Sequence, residues 1–230
     1  MNILAFGPHP DDIEFGCAPV LIQEVEHGHR VKMLVLSRGE AGTSGTPKVR
    51  EQEARAAAEV IGAGIDFLDW GGDCHIEYRP ENAIRLAGEI RRERPDVVLA
   101  PNPAENQHPD HVAVGRLVRD ACRLARYGGL AELRSLPSHK IGSLLFYNIT
   151  AHLGRAPDLV IDVSRVAAKW EAAMRCHASQ IGAKSYLDLQ LTNARALGLL
   201  VGVELAIGLF ANDPIRVADL SAVARSAREF

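Results

Sequence analysis

Along the chain, short apolar blocks alternate with longer stretches in which apolar positions recur every three or four residues. The blocks at residues 1–6 (MNILAF), 31–36 (VKMLVL), 65–68 (IDFL) and 96–100 (DVVLA) have the length and side-chain types of buried strands. Between them the segments 13–27, 48–61, 80–93 and 111–127 carry the helical period. The same reading predicts strands at 141–147 and 159–163 and helices at 166–177 and 187–210. Gly28, between His27 and His29, supplies a helix stop, and SRGEAGTSGTP at 37–47 breaks the pattern with residues that mark a mobile loop.

Strand and helix in alternation predict an α/β fold: a Rossmann-like, mostly parallel twisted sheet with helices on both faces, because parallel neighbours need crossover connections. No repeat, low-complexity tract or linker interrupts the pattern, so residues 1–230 read as a single domain. In the common strand order 3-2-1-4-5, strands 1 and 4 are neighbours, and the crevice at their carboxyl ends is where such sheets bind ligands.

Composition adds bounds rather than detail. The 230 residues, 47% of them hydrophobic, suffice for one substantial core. A formal net charge of -3, with both signs mixed along the chain, argues against nucleic acid or an anionic membrane as partner. No apolar run reaches the roughly 20 residues of a membrane helix and no signal-peptide pattern opens the chain, so a cytoplasmic protein is expected. Cys17, Cys74, Cys122 and Cys176 form no CxxC, which suggests neither a disulfide framework nor a cysteine zinc cluster; most read as small buried apolar residues.

The chemistry is concentrated in two segments. GPHPDDIEFG at 7–16 follows the first strand, and PNPAENQHPDH at 101–111 follows the fourth, so the topology brings two histidine and carboxylate clusters to one crevice. A single His-Pro-Asp-Asp after a strand can be a helix cap. Two such clusters at one switch point favour a metal: two imidazoles, one carboxylate and an open position make a catalytic zinc arrangement, for which His9, Asp12 and His111 are available. Asp11, His108 and Asp110 are then left over, residue types suited to proton transfer and oxyanion stabilisation.

These motifs, with LSRGEAGTSGTPKVREQEARAA at 36–57, RPDVVLAPNP at 94–103 and APDLVIDVS at 156–164, resemble the LmbE-like, or PIG-L-type, zinc-dependent N-acetylglucosamine deacetylases. Within that family, the loop RGEAGTSGT followed by Arg50 and Glu53 most resembles the N-acetylglucosaminyl-malate deacetylases of bacillithiol biosynthesis. The resemblance implies that His9, Asp12 and His111 bind Zn2+, that Asp11 is the general base, that protonated His108 stabilises the oxyanion and that Asp110 orients His108. It also implies a small N-acetylglucosamine conjugate as substrate and a homo-oligomer. Fe2+ could replace zinc in such a nitrogen and oxygen site.

Arg38 and Arg50 flank the glycine-rich loop and could hold a malate carboxylate in bidentate fashion, or form surface and helix-face ion pairs. Glu14 either caps the first helix or supports the site, and Trp70 and Tyr78 line the pocket mouth or pack. The remaining histidines (27, 29, 75, 139, 152 and 177) have no partner cluster and are expected on the surface or in the core. Leu205 and Ile207 stand where relatives carry an aromatic and then an acid, which leaves the C-terminal segment's role open. The alternatives are another glucosamine conjugate (a mycothiol precursor, chitin oligosaccharide or antibiotic intermediate) and a non-catalytic metal or nucleotide module. GPHPDD lacks the GxGxxG that a nucleotide pyrophosphate needs.

Overall fold

Successive residues of the first strand point to opposite sides: Ile3 and Ala5 enter one apolar core, Leu4 and Phe6 the other. That alternation, buried on both faces, places this strand at the centre of the sheet. The computed structural model describes residues 1–104, 108–149, 155–181, 185–223 and 226; His152, part of the QHPDH segment (Gln107) and part of CHASQIGAKSYLD (182–184) fall outside them.

The elements run β1 (Asn2–Gly7), α1 (Asp12–Gly16), α2 (Ala18–Glu26), β2 (Arg30–Val35), α3 (Pro47–Ile61), β3 (Gly64–Phe67), α4 (Pro80–Glu93), β4 (Val97–Pro101) and α5 (Pro109–Ala125). Then come β5 (Ser143–Tyr147), β6 (Leu159–Asp162), α6 (Ala167–Arg175), α7 (Ala178–Ile181), α8 (Tyr186–Val201) and β7 (Ala206–Ala211). They form a single α/β domain around a seven-stranded sheet of order β3-β2-β1-β4-β5-β7-β6, in which β1 to β5 are parallel and β7 is antiparallel to both neighbours. Helices α1, α2, α3, α6 and α8 cover one face, and α4 and α5 the other. Among the described residues, no helix is long and apolar enough to cross a membrane.

Two expectations need correction. The segment 13–27 is two helices, parted at Cys17 (φ -147, ψ 4), because Pro19 is tolerated only in the first turn of a new helix. The run 187–210 is a helix to Val201 and then strand β7, which pairs with β5 and β6. Gly202, at φ 76, makes the left-handed turn between them, but the unbroken apolar composition on either side hides the change of period. Leu205 packs in the core, whereas Ile207 pairs with Ile161 and lines a cavity of about 240 Å³ between α8 and β7 that holds no histidine, cysteine or carboxylate.

β1 leads into the helices of one face and β4 into α5 on the other, so the chain opens a crevice at their carboxyl ends. The first turns of α5 sit close to the end of β4: a Cβ on Gly115 would lie 2.4 Å from the Pro101 carbonyl oxygen and 3.0 Å from the Pro103 nitrogen. Gly115→Ala should therefore destabilise the fold by about 1–3 kcal/mol, read as a lower urea midpoint. An unchanged midpoint would show that α5 does not approach β4 this closely.

Candidate functional site

The turn after β1 is stiffened by Pro8 and Pro10 and tied to the end of β2, where the Ser37 N–H and hydroxyl both donate to the Pro8 carbonyl (3.0 and 2.9 Å). This geometry drives Asp11 to φ 119, a conformation costly for any residue but glycine. Asp11 precedes α1 yet makes no side-chain cap bond, so capping is not its role. Asp12 is buried, and its Oδ2 accepts the His9 backbone N–H at 2.9 Å. At the other segment, His108 caps α5: its Nδ1 accepts the Asp110 N–H at 3.2 Å, which turns Asp110 and His111 into the crevice.

Three groups converge there. Asp12 Oδ2 lies 2.9 Å from His9 Nδ1, and Asp12 Oδ1 lies 3.2 Å from His111 Nε2. The other nitrogen of His9, Nε2, sits 3.0 Å from Asp110 Oδ2 and 2.9 Å from Asp73 Oδ1. Burial opposes charging the His9 ring, but Asp12, Asp110 and Asp73 outweigh it and hold its pKa well above the ordinary value. Burial likewise works against an ionised Asp12, yet His111 and His9 keep its pKa well below the usual carboxylate range. Carboxylates that fix Nε2–H leave the Nδ1 lone pair facing a carboxylate oxygen, a contact that only a proton or a cation between them makes favourable. Tetrahedral zinc donors sit roughly 3.3–3.5 Å apart, so the donor types and spacings here suit a divalent metal.

Asp11 stands beside this cluster. Burial, and then the neighbouring Asp12, push its pKa up to about 7 against the opposing pull of Arg50. Arg50 Nη2 donates to Asp11 Oδ2 at 3.1 Å and to the Pro10 carbonyl at 2.9 Å, and Nη1 donates to the Gly39 carbonyl at 3.4 Å. Only 5% exposed, Arg50 faces inward and braces the turn, rather than offering the open fork expected for a substrate carboxylate. Arg38 lies nearer the surface, its Nε donating to Glu51 at 2.9 Å. The loop expected to be mobile is held at two points, where Gln180 donates to the Ser44 carbonyl at 2.8 Å and Arg50 to the Gly39 carbonyl at 3.4 Å.

Other expectations shift in detail. Asp110 lies closer to His9 than to the His108 ring, whose Nδ1 is 3.8 Å from Asp110 Oδ2. Burial, and then His9, lower the pKa of His108 against the opposing pull of Asp110, a shift that favours the neutral ring. Trp70 is buried under the Arg85 guanidinium, and the exposed Tyr78 donates to Asp120, so the first packs and the second lies on the surface. Sequence reasoning missed Asp73 and its neighbour Cys74, which enter from the turn beyond β3. It also missed the pairing of Glu14 with His177, 1% and 0% exposed, at 3.3 Å. A GGD turn at the carboxyl edge of a strand beside β2 was the available signal for Asp73.

The sequence matches the family model described as PIG-L, GlcNAc-PI de-N-acetylase, over residues 4–122, a span that includes both histidine and aspartate segments. It is 31% identical over 192 residues to the diacetylchitobiose deacetylase of Thermococcus kodakarensis, covering 78% of this chain and 70% of that protein. To the 4-oxalmesaconate hydratase of Pseudomonas putida it is 28% identical over 196 residues, covering 78% and 74%. To the probable N-acetyl-alpha-D-glucosaminyl L-malate deacetylase 2 of Bacillus anthracis it is 26% identical over 203 residues, covering 80% and 83%. Among solved structures, the conserved protein TT1542 from Thermus thermophilus superposes with a TM-score of 0.83 at 31% identity, covering 97% of this chain and 99% of that one.

The Arg50 contact has a direct test. Removing the guanidinium removes the cation that pulls hardest on Asp11 among the described residues, so in metal-free protein Arg50→Gln should move the Asp11 carboxyl titration, followed by carbon NMR, above its wild-type midpoint near 7. A midpoint that stayed put would separate Asp11 from Arg50.

Proposed function

Because the chain belongs to the PIG-L family of deacetylases, we propose that it is a metal-dependent hydrolase that removes the acetyl group from a small N-acetylglucosamine conjugate, N-acetylglucosaminyl-malate in particular. The observation that carries this reading is the juxtaposition of a buried histidine and aspartate donor set with a carboxyl group whose pKa is lifted to about 7.

Amide hydrolysis is slow because water is a weak nucleophile, the carbonyl is poorly electrophilic and the amine leaves badly. His9, Asp12 and His111 are the residues that would hold the metal. When bound, a divalent cation, zinc in this proposal, supplies Lewis acidity that polarises the amide carbonyl and acidifies water. Asp11 is the base: a carboxylate of such raised pKa takes a proton from the attacking water near neutrality and, once protonated, can deliver it to the departing nitrogen. Arg50 holds Asp11 in its strained conformation and limits how far its pKa rises. His108, with Nδ1 committed to the Asp110 N–H, presents Nε2–H at the crevice mouth and donates it to the carbonyl oxygen as negative charge develops. Asp110 and Asp73 fix the His9 ring.

The malate conjugate is supported by the glycine-rich loop and by the Bacillus anthracis relative. In this reading Arg38, its side chain 32% exposed and paired with Glu51, is the guanidinium that would meet the malate carboxylate by exchanging Glu51 for it. The hydratase relative supports a second reading, since a base beside a metal also serves addition of water to a carbon–carbon double bond.

Acetate release from N-acetylglucosaminyl-malate should outpace release from diacetylchitobiose and from free N-acetylglucosamine, should stop with chelator and should return with zinc. Chelator resistance would remove the metal mechanism, and faster release from diacetylchitobiose would reassign the conjugate. Hydration of an unsaturated dicarboxylate with no acetate from any conjugate would favour the second reading. His108→Ala should keep its tight metal and lose roughly 10²–10³ in kcat, whereas His9→Ala and His111→Ala should lose the metal itself. Metal loss in His108→Ala would make His108 a ligand.

A further inference from the structure

The turn beyond β3 presents a cysteine to the same crevice. His75 N–H closes the turn on the Gly72 carbonyl at 3.2 Å, which leaves Cys74 at φ 68. The turn is pinned on both sides: the Asp73 N–H donates to the Glu40 carboxylate at 2.9 Å, and the Cys74 N–H donates to Asp110 Oδ2 at 2.8 Å. Unlike the buried Cys17 and Cys122, Cys74 is exposed.

Its sulfur completes a triangle. Cys74 Sγ lies 3.6 Å from His108 Nε2 and 3.6 Å from Asp73 Oδ1, and those two atoms are 3.8 Å apart. Zinc bonds of about 2.3 Å to sulfur and 2.0–2.2 Å to nitrogen and oxygen, at tetrahedral angles, place sulfur roughly 3.6 Å and nitrogen roughly 3.4 Å from their neighbours. The donors already stand near coordination distance, with solvent on the open side. We infer that Cys74, His108 and Asp73 form a second site for a thiophilic divalent cation, zinc above all, at the mouth of the crevice, and that filling it silences the enzyme.

This second site is the weaker. Asp73 Oδ1 already holds His9 Nε2 at 2.9 Å, so the second cation enters beside a centre that carries its own positive charge. Ligation at His108 Nε2 also shifts the ring proton to Nδ1, giving up the bond from the Asp110 N–H, while the Cys74 thiol releases its proton to water as sulfur binds the metal. The silencing rests on the role proposed for His108: once Nε2 binds a cation, it has no proton to donate to the substrate oxygen. The binding does not depend on that role.

The test uses full-length protein stripped of metal and titrated with zinc or cobalt(II). Wild type should bind one tight equivalent and one weaker equivalent, and the second cobalt should bring a thiolate-to-metal charge-transfer absorption. Cys74→Ser should keep the first equivalent, lose the absorption and weaken the second equivalent by more than the roughly 10- to 100-fold typical of an outer-sphere partner. Cys176→Ser should bind like wild type. Acetate release at one equivalent should be equal in wild type and Cys74→Ser, and excess zinc should suppress only the wild type. A second equivalent weakened by no more than roughly 10- to 100-fold, or a charge-transfer band that survives, in Cys74→Ser would overturn the site. Full activity with the second equivalent bound would overturn the silencing. If no conjugate yields acetate, the cobalt spectrum still decides the site, so its failure and that of the proposed reaction are distinguishable.

Discussion

One imidazole ties the working edge of this sheet together. His9, 6% exposed, meets Asp12 through Nδ1 and both Asp73 and Asp110 through Nε2, so the turns after β1 and β3 and the start of α5 are joined through a single ring. Three carboxylates this deeply buried would be prohibitive without partners, and the ring, charged or metal-bound, is what makes their burial tolerable. The sheet makes the meeting possible: β1 lies between β2 and β4, and the chain leaves it toward one face while α5 departs toward the other.

The same crowding shapes the chemistry of Asp11. Its backbone sits in a conformation that typically costs 1–3 kcal/mol, held there by two flanking constraints: Pro10 before it and the Arg50 guanidinium across it. Burial, and then the neighbouring Asp12, make the carboxyl hard to ionise, and Arg50 pulls the other way, leaving its pKa at about 7. Strain, burial, like charge and cation are thus set against one another at a single carboxyl group, whose pKa lies near neutrality.

Much of this was legible from residue order. Short, nearly continuous apolar runs mark β1, β2 and β4 as strands buried on both faces, and once these are strands of a parallel sheet, the two His-Pro-Asp segments must meet. What the sequence hid follows from what periodicity cannot carry. An apolar run containing Gly202 reads equally well as one helix or as a helix and a strand, and only the place waiting between β5 and β6 decides. Arg50 sits on a polar helix and looks solvent-facing, yet the turn it braces lies far away in sequence. Asp73 and Cys74 belong to a turn that carries no His-Pro-Asp pattern, so no motif announces them, and β3 brings them near only because it sits beyond β2. The orientation of Asp110 toward His9 is likewise a matter of side-chain direction rather than order.

The central claim is that His9, Asp12 and His111 surround the tight metal, with sulfur absent from that position. X-ray absorption at the zinc edge, with one equivalent bound, measures this directly. The account predicts only nitrogen and oxygen neighbours, at about 2.0–2.2 Å, with imidazole scattering from two rings. A sulfur neighbour at about 2.3 Å in that first equivalent would contradict it, because the metal would then have chosen the Cys74 turn over the crevice.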